Sequence, residues 1–176
     1  MALVRLRPAA AVAGIALTGG LLTGIVPSAQ ATGPYSTTPV VVTHWVSPTP
    51  ILTGIRVGRH ATFDRVVFDL KGKRPGYNVR YVTVVRNDAS GKVITMAGRY
   101  YLMIRLTPTD AHDPQTGVST YTGPRKFWVG YPELRQVAFA GDFEAVVSVA
   151  LGLARRNGFH VFTLTDPRRV VVDIRH

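Results

Sequence analysis

The sequence predicts an all-β fold, a β-sandwich or a barrel, and its internal repeats favour an antiparallel β-sandwich of two small pseudo-symmetric sheets. About nine short segments rich in Val, Ile, Tyr and Phe follow one another at regular spacing, each bounded by turn-forming residues. Helix signals are almost absent, and without Cys the fold has to be stabilised by packing alone. Two distant segments, 65–70 and 169–174, are near copies, which favours an internal duplication and a pair of related sheets.

The predicted strands are identified by β-branched and aromatic residues, and the turns by residues that tolerate unusual backbone angles. The segment 87–91 contains Asn, Asp and Gly and predicts a hairpin turn. The segment 107–119 is polar and predicts a mobile loop. The stretch 144–156 ends like a helix, but three valines at its start favour a strand. The predicted strands are 51–57, 65–70, 77–86, 92–97, 99–106, 134–140, 144–156, 159–165 and 169–175.

The first residues have the organisation of an export signal. Two arginines form a positive start, a glycine-containing apolar stretch follows, and Ala29-Gln30-Ala31 matches a small-x-small cleavage site. We therefore expect a signal peptide over 1–31, a secreted, extracellular product and no stable membrane span after processing; an uncleaved anchor is the alternative. A Pro- and Thr-rich linker with one edge strand is expected over 32–50, followed by one domain over 51–176.

The charge balance is strongly basic. Residues 32–176 carry 19 of the 21 basic residues and all 10 acidic ones, which leaves a net charge of +9. Such a balance favours anionic partners in the cell envelope, such as polymers that bear phosphate or uronate groups. Nucleic acid is not expected as a partner, because export separates the protein from the nucleic acid of the cell. The sequence also has no basic run with interleaved aromatic residues.

The near-copied segments supply the candidate ligand-binding site, because both read Arg-Val-Val-x-Asp followed by Leu or Ile. Alternation along a strand assigns one face of each to the core: Val66, Phe68, Leu70, Val170, Val172 and Ile174. It does not require the repeated Arg, Val and Asp on the opposite face, so we predict that these exposed triplets bind a ligand. The triplets are Arg65, Val67 and Asp69, and Arg169, Val171 and Asp173.

The chemistry of the triplets supports two interpretations. An Arg side chain offers a planar fork to carboxylates, and Asp accepts hydrogen bonds from hydroxyl and amide groups, as glycan or peptide binding requires. The alternative is a cross-strand ion pair that fixes the register of the sheet. On an exposed surface such a pair is worth at most about 1 kcal/mol.

No catalytic residue, metal site or cofactor is expected. His60 has an acidic neighbour four residues on, but no Ser or Cys nucleophile has supporting context. Asp142 and Glu144 flank Phe143, a weak signal for glycan hydrolysis; the simpler interpretation is a turn with two solvated acids and a buried Phe143. The segment 110–113 contains two Asp and one His without the spacing of a calcium loop or a zinc site.

The irregular stretch 121–131 is aromatic and has two interpretations. Its rings could stack on sugars, or they could form a lid over one open end of the sandwich. Because aromatic area is usually buried, the lid is the simpler interpretation. The residues concerned are Tyr121, Phe127, Trp128 and Tyr131.

Five short motifs in this chain, taken in order, resemble those of a known domain family. They are Gly58-Arg59-His60, Phe63 through Asp69, Pro75 through Tyr81, Gly141-Asp142-Phe143-Glu144 and Phe159 through Ile174. In this order they resemble the AMIN-like domain of secreted actinobacterial proteins and, more distantly, the AMIN domain. The resemblance covers 51–176. It implies a non-catalytic β-sandwich that holds proteins such as amidases and secretins at the peptidoglycan, and hence a cell-wall-associated location. It also implies that the first triplet lies on one outer face and the second triplet on the other.

We therefore expect a secreted envelope-binding module whose partner is a cell-wall glycan or peptidoglycan, with another envelope protein as a further partner. One alternative is a small-ligand carrier with a pocket beneath the aromatic loop, which an apolar cavity under Trp128 would favour. The other is a glycan hydrolase that uses His60, or Asp142 with Glu144, which convergence of these groups in a cleft would favour.

Overall fold

The computed structural model describes residues 33–176, which form ten strands. Within this part of the chain no helix is long and apolar enough to cross a membrane. The signal peptide predicted for 1–31 lies outside the described residues. The strands are β1 (Val40–Val42), β2 (Ile51–Arg59), β3 (Phe63–Lys71), β4 (Gly76–Val82), β5 (Tyr100–Thr107), β6 (Lys126–Trp128), β7 (Leu134–Phe143), β8 (Val146–Leu153), β9 (Phe159–Thr165) and β10 (Arg168–Arg175).

The strands form two antiparallel sheets that do not close into a barrel, so the predicted β-sandwich is confirmed. The larger sheet has six strands in the order β1-β4-β5-β8-β7-β6, and the smaller has four in the order β2-β3-β10-β9. Short hairpins join β2 to β3, β6 to β7, β7 to β8 and β9 to β10, whereas the pairing of β3 with β10 is long-range and brings the two near-copied segments together.

The core lies between the sheets, and period-2 alternation identifies its residues correctly. All six positions assigned to the core on β3 and β10 are buried, the most exposed being Leu70 at 8%. From the larger sheet, Leu102 and Ile104 on β5 and Leu151 on β8 face them and are fully buried. Each such side chain contributes about 1.5–3 kcal/mol on transfer from water, so this interface supplies much of the stability of a chain without disulfides.

Two predicted strands have different outcomes. The ambiguous stretch 144–156 forms β8, as its valines indicate. The strand predicted over 92–97 is absent: within it only Val93 pairs, opposite Arg86, although the turn before it is confirmed. The reason is packing, because this stretch covers the outer face of the larger sheet instead of extending it. A second apolar cluster forms there from Val85, Met96, Met103, Ala138, Ala140 and Ala150.

One end of the sandwich is closed by the segment that was predicted to be a mobile loop. Thr109, Asp110 and Ala111 are buried, and Asp110 pairs with β2 through the bond from Leu52 N to its carbonyl oxygen, at 2.8 Å. Burial of Phe143 was predicted wrongly, since its side chain is 49% exposed. The β7–β8 turn explains this, because the two residues after Phe143 have positive φ and the chain reverses before its side chain can enter the core.

The described part of the predicted linker is attached to both sheets. β1 pairs with β4 and forms the edge strand expected there. Ser36 pairs with Phe159 of β9, at the edge of the smaller sheet. The segment between them therefore crosses from one sheet to the other and lies along the domain.

Two buried carboxylates join the sheets at the end opposite the 107–119 segment. Asp64 has the same parity as the core residues of β3, and its Oδ2 accepts hydrogen bonds from the backbone N–H groups of Glu133 and Leu134, both at 2.8 Å. The fully buried side chain of Glu133 accepts from Arg155 N at 2.6 Å and from Asn157 Nδ2 at 3.1 Å. These bonds connect β3 with the start of β7 and with the chain leaving β8.

We predict that Asp64→Ala lowers the free energy of unfolding by about 2–4 kcal/mol, because two backbone N–H groups lose their acceptor in a buried site. Chemical denaturation of the variant and of Asp69→Ala, whose carboxylate is 25% exposed, measures the difference. Equal effects of the two substitutions would contradict the role assigned to Asp64.

Candidate functional site

The two triplets lie side by side on one face of the smaller sheet. β3 and β10 pair so that Arg169 is opposite Asp69, Val171 is opposite Val67, and Asp173 is opposite Arg65. The placement on two opposed faces that the resemblance implied is therefore wrong. Antiparallel pairing of two copies of Arg-x-Val-x-Asp sets an Arg against an Asp at both ends, with the valines between them.

One end of this face is closed. Arg65 forms a bidentate pair with Asp173, with Nε–Oδ1 at 2.7 Å and Nη2–Oδ2 at 2.8 Å. The guanidinium also lies 5.1 Å and 5.3 Å from the ring centres of Phe63 and Phe162. Tyr35, from the predicted linker, also lies near this end. Its pKa is raised by burial and, to a smaller extent, by the charge of Asp173.

The predicted exposure of all four charged triplet residues is therefore wrong for Asp173, which is fully buried beneath these groups, and for Arg65, whose side chain is only 12% exposed. Val171 is fully buried as well. Sequence alternation places both residues on the outer face. It does not show that other side chains and the linker segment cover that face.

The other end of the face is open, and its charges are also paired within the chain. Arg56 of β2 forms a bidentate pair with Asp69, at 2.6 and 2.7 Å. Arg169 donates from Nε to the carbonyl of Pro167 and from Nη2 to that of Asp166, both at 3.0 Å. These contacts support the structural interpretation of the triplets, and their role in ligand binding stays a prediction.

The groups considered for catalysis do not converge within the described residues. His60 stacks on Phe63, with ring centres 4.3 Å apart, and the carboxylate of Asp64 is held by β7 instead. Asp142 contacts His112, whereas Glu144 lines a separate surface depression. Asp142 and Glu144 therefore do not face one cleft together, which the hydrolase alternative required of this pair.

A different group of side chains forms a basic groove on the larger sheet, which we call the Trp–Arg groove. Its lining includes Trp128, Arg99, Arg135 and Arg155, and its open volume is about 560 Å³. Trp128 ends β6 and is 65% exposed, an unusual state for so large an apolar side chain. Arg135 lies on β7, while the other two arginines lie just before β5 and just after β8.

Two glycines shape the wall of this groove. Gly130 has φ of +70°, and a Cβ atom there would lie 2.8 Å from Nε1 of Trp128. Gly98 has φ of +120°, and a Cβ atom there would lie 2.7 Å from the backbone nitrogen of Leu153. Only glycine combines these backbone angles with such close approach. Gly98 thus lines the groove directly, and Gly130 leaves room for the indole of Trp128.

The groove carries an excess of positive charge. Among residues 33–176 the acid that pairs with a groove arginine is the buried Glu133, which accepts from Arg155 Nε at 3.1 Å while the Arg155 side chain stays 61% exposed. Arg99 and Arg135 form no ion pair within residues 33–176. Exposed guanidinium forks beside an indole face match a ligand that combines an anionic group with a flat or ring-shaped surface.

The four aromatic residues of the stretch 121–131 have different environments, so some fit the lid interpretation and one fits the stacking interpretation. Tyr121 is buried and stacks on Phe139, with ring centres 5.3 Å apart, so it belongs to the core lid. Phe127 and Tyr131 are half-buried against the core. Trp128 alone of the four is exposed and available for stacking. Sequence analysis named Trp128 but missed the arginines, which come from three separate segments.

A third group can hold a cation. Ligand atoms of Asp110, His112 and Asp142 all lie within 4.8 Å of one another, and His112 Nδ1 is 2.6 Å from Asp142 Oδ2. Burial raises the pKa of Asp110, while His112 opposes that shift and Asp142 adds to it. The hydrogen bond to Asp142 raises the pKa of His112. The three side chains therefore form a compact, partly buried cluster in which two carboxyl groups and an imidazole lie within reach of one another.

The fold and these surfaces define the chain as a β-sandwich with a basic groove on its larger sheet. The AMIN-like domain family model matches residues 50–176, so the chain belongs to the AMIN-like domain family. Domains of this family are modules of the cell envelope and are generally non-catalytic. No curated protein and no solved structure matches the chain.

We predict that Arg65→Ala and Arg169→Ala affect stability very differently. Arg65→Ala leaves the buried Asp173 without its partner and should lower the free energy of unfolding by about 3–5 kcal/mol. Arg169→Ala removes two bonds to solvent-near carbonyls and should cost less than about 1 kcal/mol. Urea unfolding followed by circular dichroism measures both. A small loss for Arg65→Ala would show that the pair is not a structural element.

Proposed function

We propose that this protein is a secreted, non-catalytic envelope module that binds an anionic polymer of the cell wall, such as peptidoglycan or a glycan attached to it. Membership of the AMIN-like family supports the envelope role. The predicted export signal and the net charge of +9 over 32–176 support an anionic partner outside the cell. The observation that carries the proposal is the Trp–Arg groove, where an exposed indole stands among three arginines.

The groove suits an acidic sugar for two reasons. The face of Trp128 offers apolar area on which a sugar ring packs, and the guanidinium groups offer forks that accept carboxylate or phosphate in a bidentate manner. Arg99 and Arg135 are not engaged with acids of the described chain, so they bind an anion without first breaking an internal ion pair. This favours the groove over the triplets, whose charged groups would have to exchange partners.

The open end of the triplet face remains a second proposed contact for the same polymer. Arg56 is 59% exposed and Asp69 is 25% exposed, and Arg169 lies opposite Asp69. These groups could extend a binding surface, whereas Arg65, Val171 and Asp173 support it from beneath. Ligand binding by the complete triplets is thus retained only as this weaker proposal.

The carrier and hydrolase alternatives have less support. The space beside Trp128 is lined by arginines and is open, which does not suit a small apolar ligand. Hydrolysis of a glycosidic bond requires two carboxyl groups that flank one bond, and Asp142 and Glu144 line different surfaces.

We predict that Trp128→Ala with Arg135→Ala reduces retention on purified cell walls at least tenfold, a loss of about 1.4 kcal/mol of binding free energy. Both side chains are at least partly exposed, so the variant should unfold at nearly the wild-type denaturant concentration. The matched control is Trp45→Ala with Arg80→Ala, which removes an exposed Trp and an exposed Arg outside the groove. Co-sedimentation with walls measures retention.

Three further measurements identify the anionic ligand and the protein surface that binds it. Walls stripped of their attached anionic polymers distinguish peptidoglycan from those polymers as the source of the anion. Arg56→Ala with Arg169→Ala tests the triplet face. Equal losses in the groove variant and its control, or retention that disappears for all proteins near about 0.5 M salt, would indicate non-specific attraction and contradict the groove assignment.

A further inference from the structure

Three side chains from two separate segments meet where the chain after β5 approaches the end of β7. Asp110 and His112 come from that chain, and Asp142 is the penultimate residue of β7. Asp110 is 92% buried, since its exposed fraction is 8%, and no hydrogen bond to its carboxylate is found within residues 33–176. Asp142 Oδ1 is also buried and without a hydrogen-bond partner there.

This arrangement leaves negative charge unsatisfied. The carboxylates of Asp110 and Asp142 lie close enough to repel each other, and among residues 33–176 His112 is the group that offsets this repulsion, through a hydrogen bond of 2.6 Å to Asp142 Oδ2. Buried carboxylate oxygens without donors are costly, and such groups normally pair with a charge or coordinate a metal. A cation among the three ligand atoms would neutralise both acids and engage the unpaired oxygens.

We propose that Asp110, His112 and Asp142 bind a divalent transition cation of the Zn²⁺ type, which fastens the segment after β5 to the end of β7. An imidazole nitrogen with carboxylate oxygens is a ligand set that Zn²⁺ accepts, whereas Ca²⁺ and Mg²⁺ prefer oxygen ligands alone. Three protein ligands leave room for water as a further ligand. This inference does not depend on the proposed wall binding.

The backbone holds the ligands in place before any cation binds. Asp110 is fixed by hydrogen bonds from its N–H to Pro50 O at 3.0 Å and from Leu52 N to its carbonyl oxygen at 2.8 Å. His112 is bridged to Ser119, and Asp142 is paired with Val147 of β8. Such preorganisation lowers the entropy lost on binding, so a metal link here would join β2, β7 and the intervening segment.

Two further charged residues, Asp113 and Lys71, lie near the three proposed ligands but are not ligands themselves. Asp113 Oδ1 accepts from Gln115 N at 2.9 Å and from Thr116 N at 3.0 Å, so it caps its own turn, although its charge adds to the field at His112. The nearby Lys71 acts on Asp113. The Asp113 carboxylate therefore provides a matched control within the same segment.

Isothermal titration of chelator-treated protein with ZnCl₂ tests the proposal. We expect one Zn²⁺ per chain and a thermal unfolding midpoint that rises with Zn²⁺ concentration, with no comparable rise from CaCl₂ or MgCl₂. Asp142→Asn and His112→Ala should each weaken Zn²⁺ binding at least tenfold. Asp113→Asn and His60→Ala should bind as the wild type does.

The same experiments contain the outcomes that overturn the proposal. Wild-type protein that binds no Zn²⁺, or that binds it equally well after Asp142→Asn and His112→Ala, would contradict it. If either variant unfolds without metal, Asp110→Asn replaces it and the same comparison is made. Because wall retention does not enter these readouts, failure here leaves the groove proposal standing, and failure of the groove proposal leaves the cation site standing.

Discussion

The hydrogen bonds of the Asp64 carboxylate are the constraint on which the rest of the sandwich depends. A carboxylate in the core row of β3 is costly to bury, and here its Oδ2 accepts hydrogen bonds from the N–H groups of Glu133 and Leu134 at the start of β7, so the two sheets are joined at one end. The same bonds place Glu133, whose buried carboxylate fixes Arg155 as the chain leaves β8. The wall of the Trp–Arg groove is therefore built on a buried polar network that joins the sheets.

The triplets show how a repeated surface pattern can serve folding. Once β3 and β10 pair antiparallel, two copies of Arg-x-Val-x-Asp are self-complementary, and an Arg faces an Asp at each end. At one end the pair is buried beneath aromatic rings; at the other, Asp69 turns to Arg56 of the adjacent strand. A buried pair specifies register and partner choice, because the wrong register leaves a charge unpaired in the interior.

The core of the fold could be predicted from the sequence, because period-2 alternation on β3 and β10 depends only on local geometry. The exposure of Phe143 could not be predicted, because the left-handed turn after this residue determines where its side chain points. The burial of Asp173 depends on a strand pairing more than a hundred residues apart in the chain. The Trp–Arg groove and the Asp110–His112–Asp142 cluster are assembled from separate segments, and local spacing carries no signal for such sites.

The central claim is that this AMIN-like domain recognises an acidic wall polymer at the Trp–Arg groove, while the repeated triplets hold the sheet together. Heteronuclear NMR of the protein titrated with soluble acidic wall-glycan fragments tests it most directly. The account predicts that the indole N–H of Trp128 and the Nε–H groups of Arg99 and Arg135 shift on binding, while the amides of Val67 and Val171 do not. Shifts confined to β3 and β10, with the groove signals unchanged, would contradict it.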